Sequence, residues 1–282
     1  MTYVIHGATG AQGAPVAAAL VAAGKSVTAL TRDAEAAVPG ARVFPADYAD
    51  LARLTEAYRG AQGVFVHLPM GPEEDRRRFA ANVVAAVQET RPDRVVVSTS
   101  GDDSGLRDPS GSALGALVAG LAESGVSCAV VAPKLYMENL LLPPVLGTTR
   151  ETGVLRYPLR HDFPVAWSSH LDVADVVAAL FEQTGITGTV AVGQDPAVTG
   201  PQLAEAFAGR LGRPVTYEAM EPTAFGQAIT PLFGEQAATG VAGFYDFLGT
   251  LPGLTVDADR SARKLLGVSP RTPAQWLAGF DL

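Results

Sequence analysis

The chain has 282 residues, 48% of them apolar, and a formal net charge of −8, with pI near 5. That is enough apolar material for one large α/β domain or a domain with a sizeable appendage. The acidic balance excludes a general nucleic-acid binder, which needs a basic excess to neutralise phosphates. One cysteine, Cys128, excludes an intramolecular disulfide and a cysteine-based metal cluster, and it sits in the apolar run 126–131 as a small buried residue would. The four histidines are scattered singly, without metal-ligand spacing, so no metal is expected. No apolar run reaches the length of a membrane span, and no basic leader precedes the first apolar run; a soluble cytoplasmic protein without a membrane partner is the expectation.

Taken in order, Tyr3–His6 reads as a short buried strand and is followed by a glycine turn, Gly7-Ala-Thr-Gly-Ala-Gln-Gly13, and an Ala-rich helix. Strands are predicted next at 25–31 and 41–45, then a helix at 51–59 capped by Asp50. A strand follows at 63–68, closed by Pro69. The helix predicted over 72–90 carries Glu73, Glu74 and Asp75 in its first turn, the sign its dipole favours. A strand at 93–98, a helix at 112–123 and a strand at 126–132 complete the first half. Beyond residue 140 the rhythm loosens: strands are predicted at 163–167, 189–192 and 215–218, and helices at 172–183, 202–211, 222–248, 258–266 and 273–280. Strands alternating with helices, the strands continuously Val-rich, predict an α/β fold: a doubly wound parallel sheet of Rossmann type. We expect residues 1–155 to form it, with a return segment at 163–194, and 195–282 to form a smaller C-terminal α/β lobe on the substrate side.

In such sheets ligands bind outside the carboxyl ends of the strands. The first strand ends in Gly7, Gly10 and Gly13 at spacing G-x-x-G-x-x-G. Glycines there let backbone N–H groups approach a phosphate, and the helix that follows adds the positive end of its dipole, so Gly7, Thr9, Gly10, Ala11, Gln12 and Gly13 are expected to hold a pyrophosphate. The second strand ends in Thr31-Arg32-Asp33. A carboxylate about twenty residues beyond the glycines accepts from the NAD ribose, whereas an arginine accommodates the NADP 2′-phosphate. Thr31 stands in the acidic place and Arg32 follows it, so NADP(H) is expected ahead of NAD(H). Asp33 remains open to two readings, a partner for Arg32 or a ribose contact. Asp47, after the third strand, either accepts from the adenine amine or caps the next helix. His67 ends the fourth strand, where an imidazole contacts cofactor, acts as an acid or is structural; His6 reads as structural.

Together with Ser98-Thr-Ser-Gly101, Pro133-Lys-Leu-Tyr-Met-Glu-Asn-Leu140 and the late Leu265-Leu-Gly267 with Arg271-Thr-Pro, these motifs resemble the NmrA-like branch of the atypical short-chain dehydrogenases/reductases over nearly the whole chain. The branch contains quinone oxidoreductases, reductases of phenolic ethers, and non-catalytic regulators that sense NADP. The resemblance implies a pyrophosphate on Gly7–Gly13, a 2′-phosphate on Arg32, and an adenosine side lined by His67, Leu68 and Pro69. It places the nicotinamide near Ser98, Thr99, Ser100 and Pro133.

One departure bears on chemistry. Short-chain dehydrogenases pair a tyrosine with a lysine four residues on, which lowers the phenol pKa; here no tyrosine has lysine at that spacing. Of the three lysines, Lys134 alone follows a strand end facing the expected cleft, so Lys134, Tyr136 and Ser98 are the candidate catalytic groups. A lysine there polarises a carbonyl or holds an enolate oxygen; it equally reaches phosphate or solvent. The expected function is NADPH-dependent reduction of a small, largely apolar quinone, enone or carbonyl; a quinone or enone, whose charge delocalises, needs less from a dedicated acid than a ketone does. The alternatives are a regulator that binds NADP(H) without turnover and a redox-neutral cyclase or isomerase. The partner expected is a small-molecule substrate; the oligomeric state is not readable.

Overall fold

A computed structural model describes residues 2–103, 106 and 111–282. The chain divides into two compact units. The first comprises Met1–Pro133, His170–Val192 and Asp259–Val268; the second comprises Lys134–Ser169, Gly193–Ala258 and Ser269–Leu282.

In the first unit, β1 (Thr2–His6), β2 (Val27–Thr31), β3 (Arg42–Pro45), β4 (Ala61–His67), β5 (Arg94–Ser98), β6 (Ser127–Pro133) and β8 (Gly188–Val192) form one sheet, in the order β3-β2-β1-β4-β5-β6-β8. Every pairing in it is parallel. Parallel strands need crossovers, and helices supply most of them: α1 (Gly13–Ala22), α2 (Leu51–Tyr58), α3 (Glu73–Thr90), α4 (Ala113–Ser124) and α6 (His170–Glu182). Because side chains alternate across a strand, Val64, Val66, Val95 and Val97 face α2, α3 and α4 in one core. Tyr3 on the opposite face meets Phe181 of α6, ring centroids 4.9 Å apart. Val95, Val96 and Val97 are all fully buried, which explains why β5 reads as an unbroken apolar run. Each such valine stabilises the fold by roughly 1.5–3 kcal/mol relative to leaving it in water.

The order of strands places the site. From β1 the chain runs outward to β2 and β3, then crosses back to β4 on the other side of β1. A reversal of this kind opens a crevice at the carboxyl ends of β1 and β4, where the first glycine turn lies. Asp50 caps α2 as expected, its carboxylate accepting from the Arg53 amide at 3.0 Å. At the opposite end of the sheet Arg94 is buried, 1% exposed. Its guanidinium donates to Ser127 Oγ at 2.8 Å and to the carbonyls of Thr184 and Ile186, joining the start of β5 to the start of β6 and to the turn before β8.

The second unit packs α5 (Pro143–Thr152), α7 (Gly200–Leu211), α8 (Pro222–Phe233), α9 (Glu235–Gly249) and α10 (Pro273–Leu277) with a parallel strand pair, β7 (Val154–Tyr157) and β9 (Thr216–Ala219). Its core is aromatic, built on Tyr157, Phe163, Trp167, Phe207, Phe225, Tyr245 and Trp276. Three local expectations differ from the structure here. Residues 163–167 form no strand: Pro164 has no N–H to give, and Val165 makes only isolated bridges to Val198 and Leu254. The helix predicted over 222–248 is two helices, broken at Gly234 with φ 80° and ψ 163°. The helix α5 and strand β7 were not predicted, since Pro143-Pro144 masks a helix start that proline at the first positions in fact favours.

Candidate functional site

Gly7 leaves β1 in the left-handed region, φ 58°, and its carbonyl accepts from the Gly10 amide at 2.8 Å. The turn is closed so tightly that a Cβ on Gly13 would strike the carbonyl oxygens of Gly7 and His6. A Cβ on Gly7 would lie 2.6 Å from His67 Nε2. Two glycines are therefore demanded by space at a strand-to-helix junction. The Ala14 amide donates back to the Gly10 carbonyl at 3.0 Å, and the start of α1 turns the positive end of its dipole toward an anion at the turn.

Around this turn lies a cleft of about 550 Å³ within the first unit. Of the residues singled out by sequence, Gly7, Thr9, Gly10, Thr31, Arg32, Asp47, His67 and Pro69 line it. Leu68 instead buries its side chain in the core shared with α2, α3 and α4. Pro133 ends β6 beside Val192, buried in the sheet. Ala11 is exposed in the glycine turn. Met70, at the strand end that the sequence marks as His67–Met70, lines the cleft too, and α3 adds walls that sequence reasoning passed over, Asp75 and Phe79. The signal available for them was their closeness to the end of β4 at His67.

At the end of β2, Thr31 Oγ1 accepts from the Asp33 amide at 3.2 Å and lies 3.5 Å from Thr9 Oγ1. The Asp33 carboxylate accepts from the Glu35 amide at 2.9 Å through Oδ1 and lines the cleft. Arg32 is exposed at the rim, and none of the ion pairs among the described residues involves it. A second, more open groove continues from the cleft past Arg32, Ala46 and Asp47 to Asp50 and Arg53. Asp47 accepts from the Ala49 amide at 2.8 Å through Oδ1, so it serves the loop and still faces the cleft.

Beneath the turn is a buried polar layer. His6 shares a 2.5 Å hydrogen bond with the Tyr58 hydroxyl and packs on Tyr48, ring centroids 4.6 Å apart. Tyr48 donates to the His67 carbonyl at 2.5 Å. His67 Nε2 is buried without a hydrogen-bond partner, under Gly7. Burial, and then the neighbouring His67, lower the His6 pKa to about 3. The same two causes in the same order bring His170 to about 4, and burial lowers His67 as well. All three imidazoles are neutral at pH 7, so none is an acid ready to donate there.

That carries a pH dependence. A histidine whose pKa is lower folded than unfolded leaves the unfolded state holding more protons below pH 6.5, and stability falls as pH falls. The loss begins near pH 6.5 and for His6 continues to about 3; at pH 5 it amounts to about 2 kcal/mol for this one residue. Urea midpoints measured at pH 7.5 and 5.0 are expected to drop accordingly, and a flat profile would contradict the buried, neutral assignment.

Ser98, the last residue of β5, and Ser100 just beyond it are brought to Gln12. The Ser98 hydroxyl, 1% exposed, donates to Gln12 Oε1 at 2.8 Å, and Gln12 Nε2 donates to Ser100 Oγ at 2.9 Å. Thr99 is buried and donates to Asp103 at 3.1 Å. Lys134 and Tyr136 open the second unit. Both are half-buried, and the backbone of Tyr136 and Met137 is anchored on Ser168. Within the same motif Asn139 bonds the hydroxyls of Tyr157 and Tyr245, which also bond each other. Asn139 thus ties its 3₁₀ turn, Met137–Leu141, into the aromatic core.

The sequence profile of the NmrA-like family matches residues 1–277. The NAD(P)H azoreductase of Xenophilus azovorans is 29% identical over 235 residues, 80% of each chain. A (4-alkanoyl-5-oxo-2,5-dihydrofuran-3-yl)methyl phosphate reductase of Streptomyces griseus is 31% identical over 234 residues, 76% of each. The crystal structure of an NADPH-dependent quinone oxidoreductase from Escherichia coli, complexed with NADPH, has TM-score 0.76 at 24% identity, covering 99% of both chains; at that identity the likeness is one of fold.

Proposed function

The chain belongs to the NmrA-like family, and from that footing we propose that it is an NADPH-dependent oxidoreductase that reduces a small, electron-poor conjugated acceptor, a quinone or an enone. The observation that carries the cofactor is the end of β2. Thr31 replaces the carboxylate that an NAD ribose needs, Asp33 holds the Glu35 amide through Oδ1 while it lines the cleft, and Arg32 stands at the rim. A 2′-phosphate then meets the Arg32 guanidinium. Steric demand for glycine at 7 and 13 supplies the cradle for the pyrophosphate.

When bound, the nicotinamide supplies the hydride. The protein's part is to orient and to stabilise charge. In this reading Gly7, Thr9, Gly10, Ala11, Gln12 and Gly13 hold the pyrophosphate, Asp47 and the apolar walls hold adenine, and Ser98 to Ser100 border the nicotinamide. Lys134 and Tyr136, at the start of the second unit, supply a cation and a hydroxyl to the substrate oxygen.

The relatives favour this acceptor class. An azo N=N bond and the ring C=C of an acyl dihydrofuranone, conjugated with two carbonyls, are both electron-poor double bonds. Hydride addition to such a system places charge on a delocalised oxygen or nitrogen that water protonates afterwards, so the missing Tyr/Lys pair costs less than it would in ketone reduction.

Purified protein is expected to enhance NADPH fluorescence and to consume NADPH with benzoquinones or activated enones, and less well with NADH. Binding without consumption over a panel of quinones, enones, azo dyes and aldehydes would overturn the reductase reading in favour of an NADP(H)-sensing regulator. No binding at millimolar NADPH would remove the cofactor assignment itself.

A further inference from the structure

Gln12 precedes the first residue of α1, where a polar side chain ordinarily caps the helix, yet it makes no capping bond. Its amide reaches instead to the end of β5. In the sheet order β1-β4-β5, that bridge passes over the end of β4, a span of two strand spacings, roughly 10 Å. It therefore crosses the same carboxyl edge at which the crevice opens.

The proton arrangement fixes its sense. Ser98 Oγ accepts from the Ser100 amide at 3.2 Å, so its own proton is free to go to Gln12 Oε1. With the amide oxygen so placed, Nε2 points at Ser100 Oγ and donates to it. Ser100 is held at φ 58°, a conformation that serine adopts reluctantly and that its surroundings must impose. The amide and two hydroxyls thus form a closed clasp between the glycine turn and the turn after β5. Ser98, with its hydroxyl committed to Gln12, belongs to this clasp.

We propose that Gln12 is a positioning residue: it locks the Ser98–Ser100 turn in register with the glycine turn and thereby sets the pose of the half of the dinucleotide that runs beyond the pyrophosphate. This rests on the NADPH reading above. The adenosine half lies toward β2 and β3, on the other side of β1, and does not depend on the clasp. The clasp acts on orientation more than on anchoring.

Gln12→Met keeps the length of the side chain and removes both hydrogen bonds. The probes are NADPH and 2′,5′-ADP, which carries the adenosine half alone. In Gln12→Met, 2′,5′-ADP is expected to bind within about twofold of wild type, whereas the NADPH Kd rises at least about fivefold and kcat falls by a similar factor. Ser98→Ala should give the same pattern, and the double variant should be no worse than the poorer single, because either change opens the same clasp. Unchanged NADPH affinity and kcat would overturn the proposal, as would equal losses for both probes, which would make Gln12 an ordinary part of the phosphate turn. If wild-type protein binds neither probe, the NADPH reading has failed rather than the clasp. A circular dichroism melt on each variant identifies one that has not folded; Ser100→Gly, which removes one hydroxyl and accepts φ 58° without strain, then carries the test with the same expected split between probes.

Discussion

Gly13→Ala is expected to abolish NADPH binding at concentrations that saturate the wild-type protein, raising Kd at least about 100-fold, or about 2.7 kcal/mol. The added methyl would have to share space with the backbone carbonyls of Gly7 and His6. Neither can swing aside cheaply: the Gly7 carbonyl accepts from Gly10, and His6 is the last residue of β1, paired with β2. The turn must open, and the amides of α1 then lose their common focus. Gly10→Ala grades the effect, since its methyl would lie 3.2 Å from the Gly7 carbonyl oxygen and needs only a small shift. Gly147→Ala is the control, because nothing lies within 4 Å of that added carbon and alanine favours the helix by up to about 1 kcal/mol. Fluorescence titration with NADPH, alongside thermal melts, separates lost binding from lost folding. A folded Gly13→Ala protein that binds NADPH as wild type does would remove the glycine turn from the cofactor site.

The same residues show what sequence reading reaches. The spacing of Gly7, Gly10 and Gly13 between an apolar run and an Ala-rich helix was legible because tight packing demands glycine at 7 and 13, and chemistry that restricts residue type leaves a mark in sequence. The parallel sheet was legible for a similar reason, since strands buried on both faces leave continuous valine runs such as Val95–Val97. Phe79 was not legible. It lines the cleft from α3, and many apolar residues would serve there equally well. Nor was the link from Gln12 to Ser98 and Ser100 visible, since it joins residues 86 and 88 positions apart that only the crossing from β1 through β4 to β5 brings together. In the second unit, Pro143-Pro144 looks like a breaker until its place at the start of α5 is known. Asn139 read as part of a family motif, whereas the structure gives it a packing task, bonding the two buried tyrosines.

Arg32→Ala is expected to raise the NADPH Kd roughly 10- to 100-fold, the loss of a charge-assisted contact worth about 1.5–3 kcal/mol, while NADH binding changes less than about threefold. The asymmetry follows from where the side chain stands. Arg32 lies at the rim, shared by the cleft and by the outer groove toward Arg53, with no ion pair among the described residues to hold it elsewhere. Only a phosphate on the ribose gives it a partner. Being exposed, the contact is screened by salt, so the wild-type preference for NADPH should narrow as ionic strength rises from 0.05 to about 0.5 M, and the narrowing should be absent in Arg32→Ala. The converse change is Thr31→Asp. Its carboxylate can still accept from the Asp33 amide as Thr31 Oγ1 does, but it also accepts from a ribose hydroxyl and repels a phosphate, so preference should turn toward NADH. Paired titrations of both cofactors decide the matter: equal loss of NADPH and NADH in Arg32→Ala would mean the arginine supports the adenosine generally, and Thr31→Asp would then have no reason to reverse the preference.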